Sequence, residues 1–179
     1  MHKYLHSFDR SVTASVVNFF GPNLRPFFEF ITALGDPITV FLIAGALGAY
    51  AVVQSNVKLL VAAGAIPFTL FVGMLLKMLF ERARPLTEYV AGMRLQTYSF
   101  PSGHSSGSMI TFGLLAYLAF MKLPAPWNTT IASVLMVLPF LIGVSRVYLG
   151  AHFPSDVVAG WILGLVVLAL VVFVLRPLG

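Results

Sequence analysis

The chain has 179 residues, of which 59% are hydrophobic and 9% charged, with a formal net charge of +5. A soluble domain carries about a quarter of its residues charged, so this chain cannot cover a water-facing surface and reads as an integral membrane protein, one bundle over 1–179. The absence of cysteine excludes disulfides, thiolate metal sites and a cysteine nucleophile, and the cations Lys77, Arg82, Arg84, Arg94 and Arg146 lie in or beside apolar runs, which suits an anionic ligand or headgroup rather than nucleic acid.

The first ten residues, MHKYLHSFDR, precede no apolar core with a small-residue cleavage site, so no cleaved leader is expected. Phe8, Val12, Val16, Phe19 and Phe20 then recur at close to helical spacing, interrupted by Asp9, Arg10, Ser11 and Asn18. Gly21-Pro22-Asn23 marks a turn, and residues 26–34 form a second, aromatic-rich piece carrying Glu29. Neither piece reaches the roughly 20 apolar residues that a span requires. Both are predicted to lie along the bilayer surface, which makes 1–35 an interfacial region and 36–176 the transmembrane bundle.

Five spans follow. Residues 38–53 are rich in Gly and Ala, which permit close helix approach. After the polar turn Gln54-Ser55-Asn56, residues 59–76 run apolar, with Pro67 as a predicted kink. Residues 77–101 are the longest polar connection. Spans three to five are predicted over 104–121, 131–144 and 157–175, with Trp127 as an interface anchor before the fourth. Gly103-xxx-Gly107 and Gly160-xxx-Gly164 offer small faces for packing. The fold class is therefore an all-α membrane bundle.

This hairpin order puts the end of span two, the start of span three, the end of span four and the start of span five on one side of the bilayer. The polar motifs sit at those four points. The opposite side holds Lys58, Lys122 and Arg176 in its short connections, which favours that side as cytoplasmic and the motif side as extracytoplasmic.

Three clusters carry the chemistry. Lys77 and Arg84 are spaced at about two helical turns and are predicted to face one way, with Pro85 drawing Arg84 toward an extended end. A guanidinium fork and a point-charge ammonium both suit phosphate, although cations at a span end also snorkel. Pro101-Ser102-Gly103-His104 opens span three, where unpaired N–H groups and the helix dipole favour an anion. There Gly103 admits a close ligand, Ser102 can cap or donate, and His104 is within reach for proton transfer; an ordinary N-cap reads the same way. Arg146, His152 and Asp156 form the third. A carboxylate one turn after an imidazole fixes its tautomer and frees the other nitrogen to attack, and a surface His–Asp pair is the bland alternative. No paired acids suit Mg²⁺ and no third ligand joins the histidines for zinc, so no cofactor is expected and the cations take the role metals have elsewhere.

Lys77-x6-Arg84-Pro85, Pro101-Ser102-Gly103-His104 and Ser145-Arg146-x5-His152-x3-Asp156 together resemble the three-part signature of the phosphatidic-acid phosphatase type 2 superfamily. The wording FERARP and YSFPSGH is most similar to its bacterial phosphatidylglycerophosphate and undecaprenyl-diphosphate phosphatases. The resemblance implies that His152 attacks phosphorus to form a phospho-histidine, Asp156 orients it, and His104 protonates the leaving group and later activates water. It implies that Lys77, Arg84, Ser102, Gly103 and Arg146 hold the phosphoryl oxygens. Bacterial members usually have six spans, one more than counted here. The implied partner is a lipid phosphate in the bilayer; oligomeric state is not legible. Outside the signature, Arg82 and Arg94 read as solvated loop cations or headgroup contacts, Tyr98 and Phe100 as entrance or interface residues, His2 and His6 as inert, and Trp161 as packing. A lipid-phosphate carrier or flippase and a vanadate haloperoxidase-like enzyme are the competing readings.

Overall fold

The computed structural model describes residues 2–93 and 97–175, with the side chains of 2–5 excepted; Arg94 and Arg176 lie outside the described residues. Every regular element among the described residues is helical: α1 His2–Phe20, a 3₁₀ turn Pro22–Leu24, α2 Arg25–Leu34, α3 Pro37–Val53, α4 Val57–Phe80, α5 Glu88–Ala91, α6 Gly103–Lys122, α7 Trp127–Tyr148 and α8 Pro154–Leu175. The five predicted spans correspond to α3, α4, α6, α7 and α8. Three of their starts follow capping chemistry: Asp36 accepts from the Ile38 N–H, Asn56 from that of Leu59 and Ser102 from that of Ser105. Pro67 and Pro139 lie inside α4 and α7.

Among the described residues, four stretches are long and apolar enough to cross a membrane, namely Pro22–Val53, Val57–Phe80, Trp127–Tyr148 and Pro154–Leu175. The first joins α2 to α3 across the Gly35-Asp36 break, so residues 25–34 that are short alone belong to a longer apolar stretch. Helix α6 is long enough but less apolar, and its environment explains why. Residues from Ser105 to Leu114 are all buried, and the helix packs on α3, α4, α7 and α8. A helix surrounded by protein needs no lipid-compatible surface. The outer faces are the reverse: Phe41, Leu42, Phe68, Leu79, Leu170 and Phe173 are exposed, as expected of side chains that face acyl tails.

Lipid tails are as apolar as leucine, so the bundle depends on close packing. One core joins Val40 and Ala44 of α3, Ala62 and Ile66 of α4, Ile110 and Leu114 of α6, and Val167 and Val171 of α8. A second joins Ile31, Phe112 and Ile142. Gly160 is where α8 comes nearest α6: a Cβ there would lie 2.6 Å from the Ser102 carbonyl oxygen and 2.8 Å from Ser105 Cβ. Gly164 packs similarly on Met109 and Ser106, and Gly107 on Leu70, whereas the space beside Gly103 is open. The predicted small faces thus serve packing at Gly107, Gly160 and Gly164, and leave Gly103 facing a gap. Trp161 packs over Gly143 and donates to the Pro139 carbonyl at 3.0 Å.

Candidate active site

The four predicted helix ends do converge. The Ser102 N–H donates to the Asp156 carbonyl at 3.0 Å, which joins the start of α6 to the start of α8. The Arg84 Nη1 donates to the Ala151 carbonyl at 3.0 Å and lies 3.1 Å from His152 Nε2. Lys77 Nζ donates to the Tyr98 carbonyl at 2.6 Å, and the Ser99 carbonyl is at 3.4 Å. His104 lies within Coulombic reach of Arg146, His152, Arg84 and Lys77. Both imidazoles and all three signature cations therefore share one end of the bundle.

The local geometry departs from the spacing argument in two places. Helix α4 stops at Phe80 because Glu81 takes a left-handed conformation with φ 46°. Arg84 is thus in an irregular segment, and it meets Lys77 through residues 97–99 rather than along a helix face. Its Nε and Nη2 donate to the Thr97 carbonyl and hydroxyl at 2.7 and 3.0 Å. Second, α8 begins at Pro154, after His152. The His152–Asp156 approach survives because Asp156 folds back on the turn: its Oδ2 accepts from the Phe153 N–H at 2.9 Å and lies 3.5 Å from His152 Nδ1. Gly150 permits that turn with φ +68°, and its flank is occupied, since a Cβ would lie 2.7 Å from Thr87 Cγ2.

The His152 ring has a definite polarity. A guanidinium has no acceptor, so the Nε2 that faces Arg84 must be the unprotonated nitrogen. The proton then sits on Nδ1, toward the Asp156 carboxylate. Burial, followed by the charges of Arg146, Arg84 and Lys77, holds the imidazole well below its ordinary value of 6.5, against a smaller opposing contribution from the Ser99 backbone. Burial and repulsion from Arg146 likewise lower the Arg84 guanidinium.

Arg146 is 2% exposed. Its Nη1 donates to Thr32 Oγ1 at 2.7 Å and to the Tyr89 hydroxyl at 3.3 Å, and its guanidinium carbon lies 5.5 Å from the centre of the Tyr89 ring. Among the described buried side-chain polar atoms, three lack a partner: Thr111 Oγ1, Arg146 Nε and His152 Nδ1. Buried donors are almost always satisfied, and two of these three belong to the candidate site. Ser102, fully buried, acts as the N-cap, with Ser105 Oγ 3.0 Å from its hydroxyl. The N–H groups of Gly103 and His104 open α6 and have no intrahelical partner.

Five residues outside the signature contribute. Arg82 is not a solvated loop cation: it donates to Asp156 Oδ1 at 2.6 Å, Ser155 Oγ at 2.7 Å and Asp9 Oδ2 at 2.7 Å. Pairing at both ends of its guanidinium holds it in place and leaves it only partly exposed. Asp9, which breaks the apolar pattern of α1, is 1% exposed for that reason. Thr32 and Tyr89 hold Arg146, and the Ser99 N–H ties the loop to the Arg82 carbonyl at 2.8 Å. The sequence carries no periodic signal for these partners, which lie far away along the chain. A cavity of about 930 Å³ opens beside Lys77 and Arg84, walled by Met74, Met78, Leu86, Val90 and Tyr98. Phe100 stacks edge-on to Phe80 at 4.9 Å. His6 lines a second cavity of about 630 Å³ with Arg82, Arg84 and Phe153. Among the described residues no group of three or more His, Asp or Glu comes together to hold a metal ion.

A family model described as the PAP2 superfamily matches residues 39–177. Phosphatidylglycerophosphatase B of Bacillus subtilis (strain 168) is 37% identical over 98 residues, 54% of this chain and 47% of that protein. Decaprenylphosphoryl-5-phosphoribose phosphatase of Mycobacterium tuberculosis (strain ATCC 25618 / H37Rv) is 31% identical over 144 residues, 79% of this chain and 75% of that protein. The match thus spans about half of the first relative and three quarters of the second. The crystal structure of a transmembrane PAP2 type phosphatidylglycerolphosphate phosphatase from Bacillus subtilis superposes with a TM-score of 0.83 at 26% identity, covering 98% of this chain and 90% of that one.

Proposed function

The chain belongs to the PAP2 superfamily, and from that premise we propose that this multi-pass membrane protein is a lipid phosphatase. It hydrolyses a phosphomonoester or diphosphate carried on a lipid, at the extracytoplasmic surface of the cell membrane, with α1 lying along that surface. The observation that carries the reading is the state of His152: Nε2 unprotonated beside Arg84, Nδ1 beside a carboxylate, and a buried Arg146 Nε left without a partner nearby. Such a group is a nucleophile flanked by guanidinium groups whose donors suit an anion.

In the first step the Nε2 lone pair of His152 attacks phosphorus and the bond to the lipid oxygen breaks. His104 gives that oxygen its proton. Asp156 stabilises the positive charge that the ring acquires. In the second step His104 takes a proton from water, the water oxygen attacks phosphorus, and the P–N bond breaks to release inorganic phosphate. Lys77, Arg84 and Arg146, with the Ser102 hydroxyl and the Gly103 and His104 N–H groups, neutralise the equatorial oxygens in both transition states. The lipid tail remains against the apolar wall of the cavity beside Lys77 and Arg84.

The test is phosphate release by the purified protein in detergent, with EDTA present, from phosphatidylglycerophosphate, phosphatidate and undecaprenyl diphosphate. Turnover of at least one of them in chelator is expected. Release that requires added Mg²⁺ would overturn the metal-free scheme, and binding of all three without release would leave a carrier.

The low pKa of His152 has a measurable consequence. Its reactive neutral form persists on acidification, so the acid limb of kcat/KM assigned to it lies below 6.5. Arg84→Gln removes one of the cations that disfavour protonation, and the limb is expected to move to higher pH. Reading the limb as a difference between variants cancels the ionisation of the substrate itself. A limb that stays still, or moves down, would show that Arg84 does not act on the His152 ring.

A further inference from the structure

Asp9, Arg82 and Asp156 form a chain of charges that extends beyond the groups used in the proposed chemical steps. Asp156 is held from two sides: Oδ2 faces the Phe153 N–H and His152, and Oδ1 takes Arg82 Nη1. The other arm of the same guanidinium reaches Asp9, which also accepts from the Ser155 N–H and hydroxyl, both at 2.9 Å. Arg82 is further fixed by the Phe153 ring, whose centre lies 4.4 Å from its guanidinium carbon. Two fully or nearly fully buried carboxylates thus share one cation.

We propose that Arg82 and Asp9 are positioning residues, which set the orientation and effective charge of Asp156 and make helix α1 part of the catalytic apparatus. The inference rests on the phosphatase reading for its kinetic consequence alone. A buried carboxylate with one oxygen unpaired would rotate or draw in water, and Oδ2 would leave the His152 Nδ1. Arg82 prevents that rotation. Asp9 complements it by balancing the Arg82 charge, so that Asp156 retains negative charge to offset the positive charge of a phosphorylated His152 ring. Neither residue is among the proposed phosphate contacts.

The charges that face His152 are Lys77, Arg84, Arg146 and Asp156, with the His104 ring also close. None of them is substituted in the variants that test the proposal. The measurement is the ring titration of ¹⁵N-labelled His152 in detergent micelles, assigned by the signal lost in His152→Ala. Arg82→Gln frees Asp156 Oδ1, so Oδ2 turns away from Nδ1 and the ring loses the anion that favours its charged form; the midpoint should fall. Asp9→Asn leaves the Arg82 charge unbalanced, and the midpoint should fall as well. The double variant should stay close to Arg82→Gln, because Asp9 acts through Arg82. Arg82→Lys keeps the charge but lacks a fork to reach both carboxylates, and should recover only part of the midpoint and of turnover. Arg82→Gln should lower kcat about a hundredfold, the scale of an ångström-sized misplacement, with KM little changed. Midpoints that do not move, or a midpoint that rises in Arg82→Gln as the simple loss of a cation would make it, would overturn the proposal, as would unchanged kcat in both. If Arg82→Gln fails to fold, Asp9→Asn and Arg82→Lys decide by the same criteria. A parent protein that hydrolyses no lipid phosphate defeats the phosphatase reading and leaves the titration to judge the charge network.

Discussion

His152→Ala is expected to reduce phosphate release by about four to six orders of magnitude, the range over which loss of an activated nucleophile is felt when the rest of a site survives. The substitution should be tolerated by the fold. His152 contributes a backbone N–H to the Arg146 carbonyl at 3.2 Å, which alanine keeps, and its side-chain contacts with Arg84 at 3.1 Å and Asp156 at 3.5 Å belong to the site rather than to the helix packing. Lys77, Arg84 and Arg146 are untouched, so vanadate and inorganic phosphate should still bind the variant. The decisive measurement is alkaline quenching during turnover of a ³²P-labelled lipid: the parent should yield a base-stable, acid-labile phosphoprotein, and the variant none. Turnover within tenfold of the parent would remove His152 from the chemistry.

That such a residue can be picked from sequence has a physical source. Ionisable groups at span ends cost several kcal/mol unless paired or used, about 2.5–3.5 on insertion scales, so Lys77, His104, Arg146 and Asp156 stand out against an apolar background. Hairpin order then brings them to one end. The same background hides what supports them. Asp9 looks like a flaw in an amphipathic pattern, because nothing local tells that its partner is Arg82. Thr32 and Tyr89 are ordinary residues until Arg146 is seen between them. Periodicity also misleads where a helix stops early: Lys77 and Arg84 are spaced at two turns, but the left-handed Glu81 ends α4 before the second. Helix α6 is the converse case. Its serines and glycines weaken the signal of a span, and they are there because its neighbours are helices. Legibility here follows range. Motifs and caps are local and can be read; the second layer of partners is tertiary and cannot.

His104 is the residue whose role is most open to a direct division of the two chemical steps. His104→Ala should slow hydrolysis of a lipid phosphate by about 10²–10⁴, the usual contribution of a positioned acid or base. The reason is that a lipid alkoxide cannot depart without a proton. A p-nitrophenyl ester has no such need, since p-nitrophenolate is stable once released. With that substrate the first step should proceed at close to the parental rate in the variant. The second step still requires a base for water, so the phosphorylated His152 should accumulate. Rapid mixing should therefore show a burst of p-nitrophenolate approaching one equivalent per active site, followed by a slow steady state. The position of the ring permits this role: it opens α6, with Gly35 of the α2–α3 turn at its edge, where a Cβ would lie 3.6 Å from His104 Cδ2. Equal losses with both substrates and no burst would mean that His104 serves binding alone, and the proton would then have to come from solvent in the adjoining cavity.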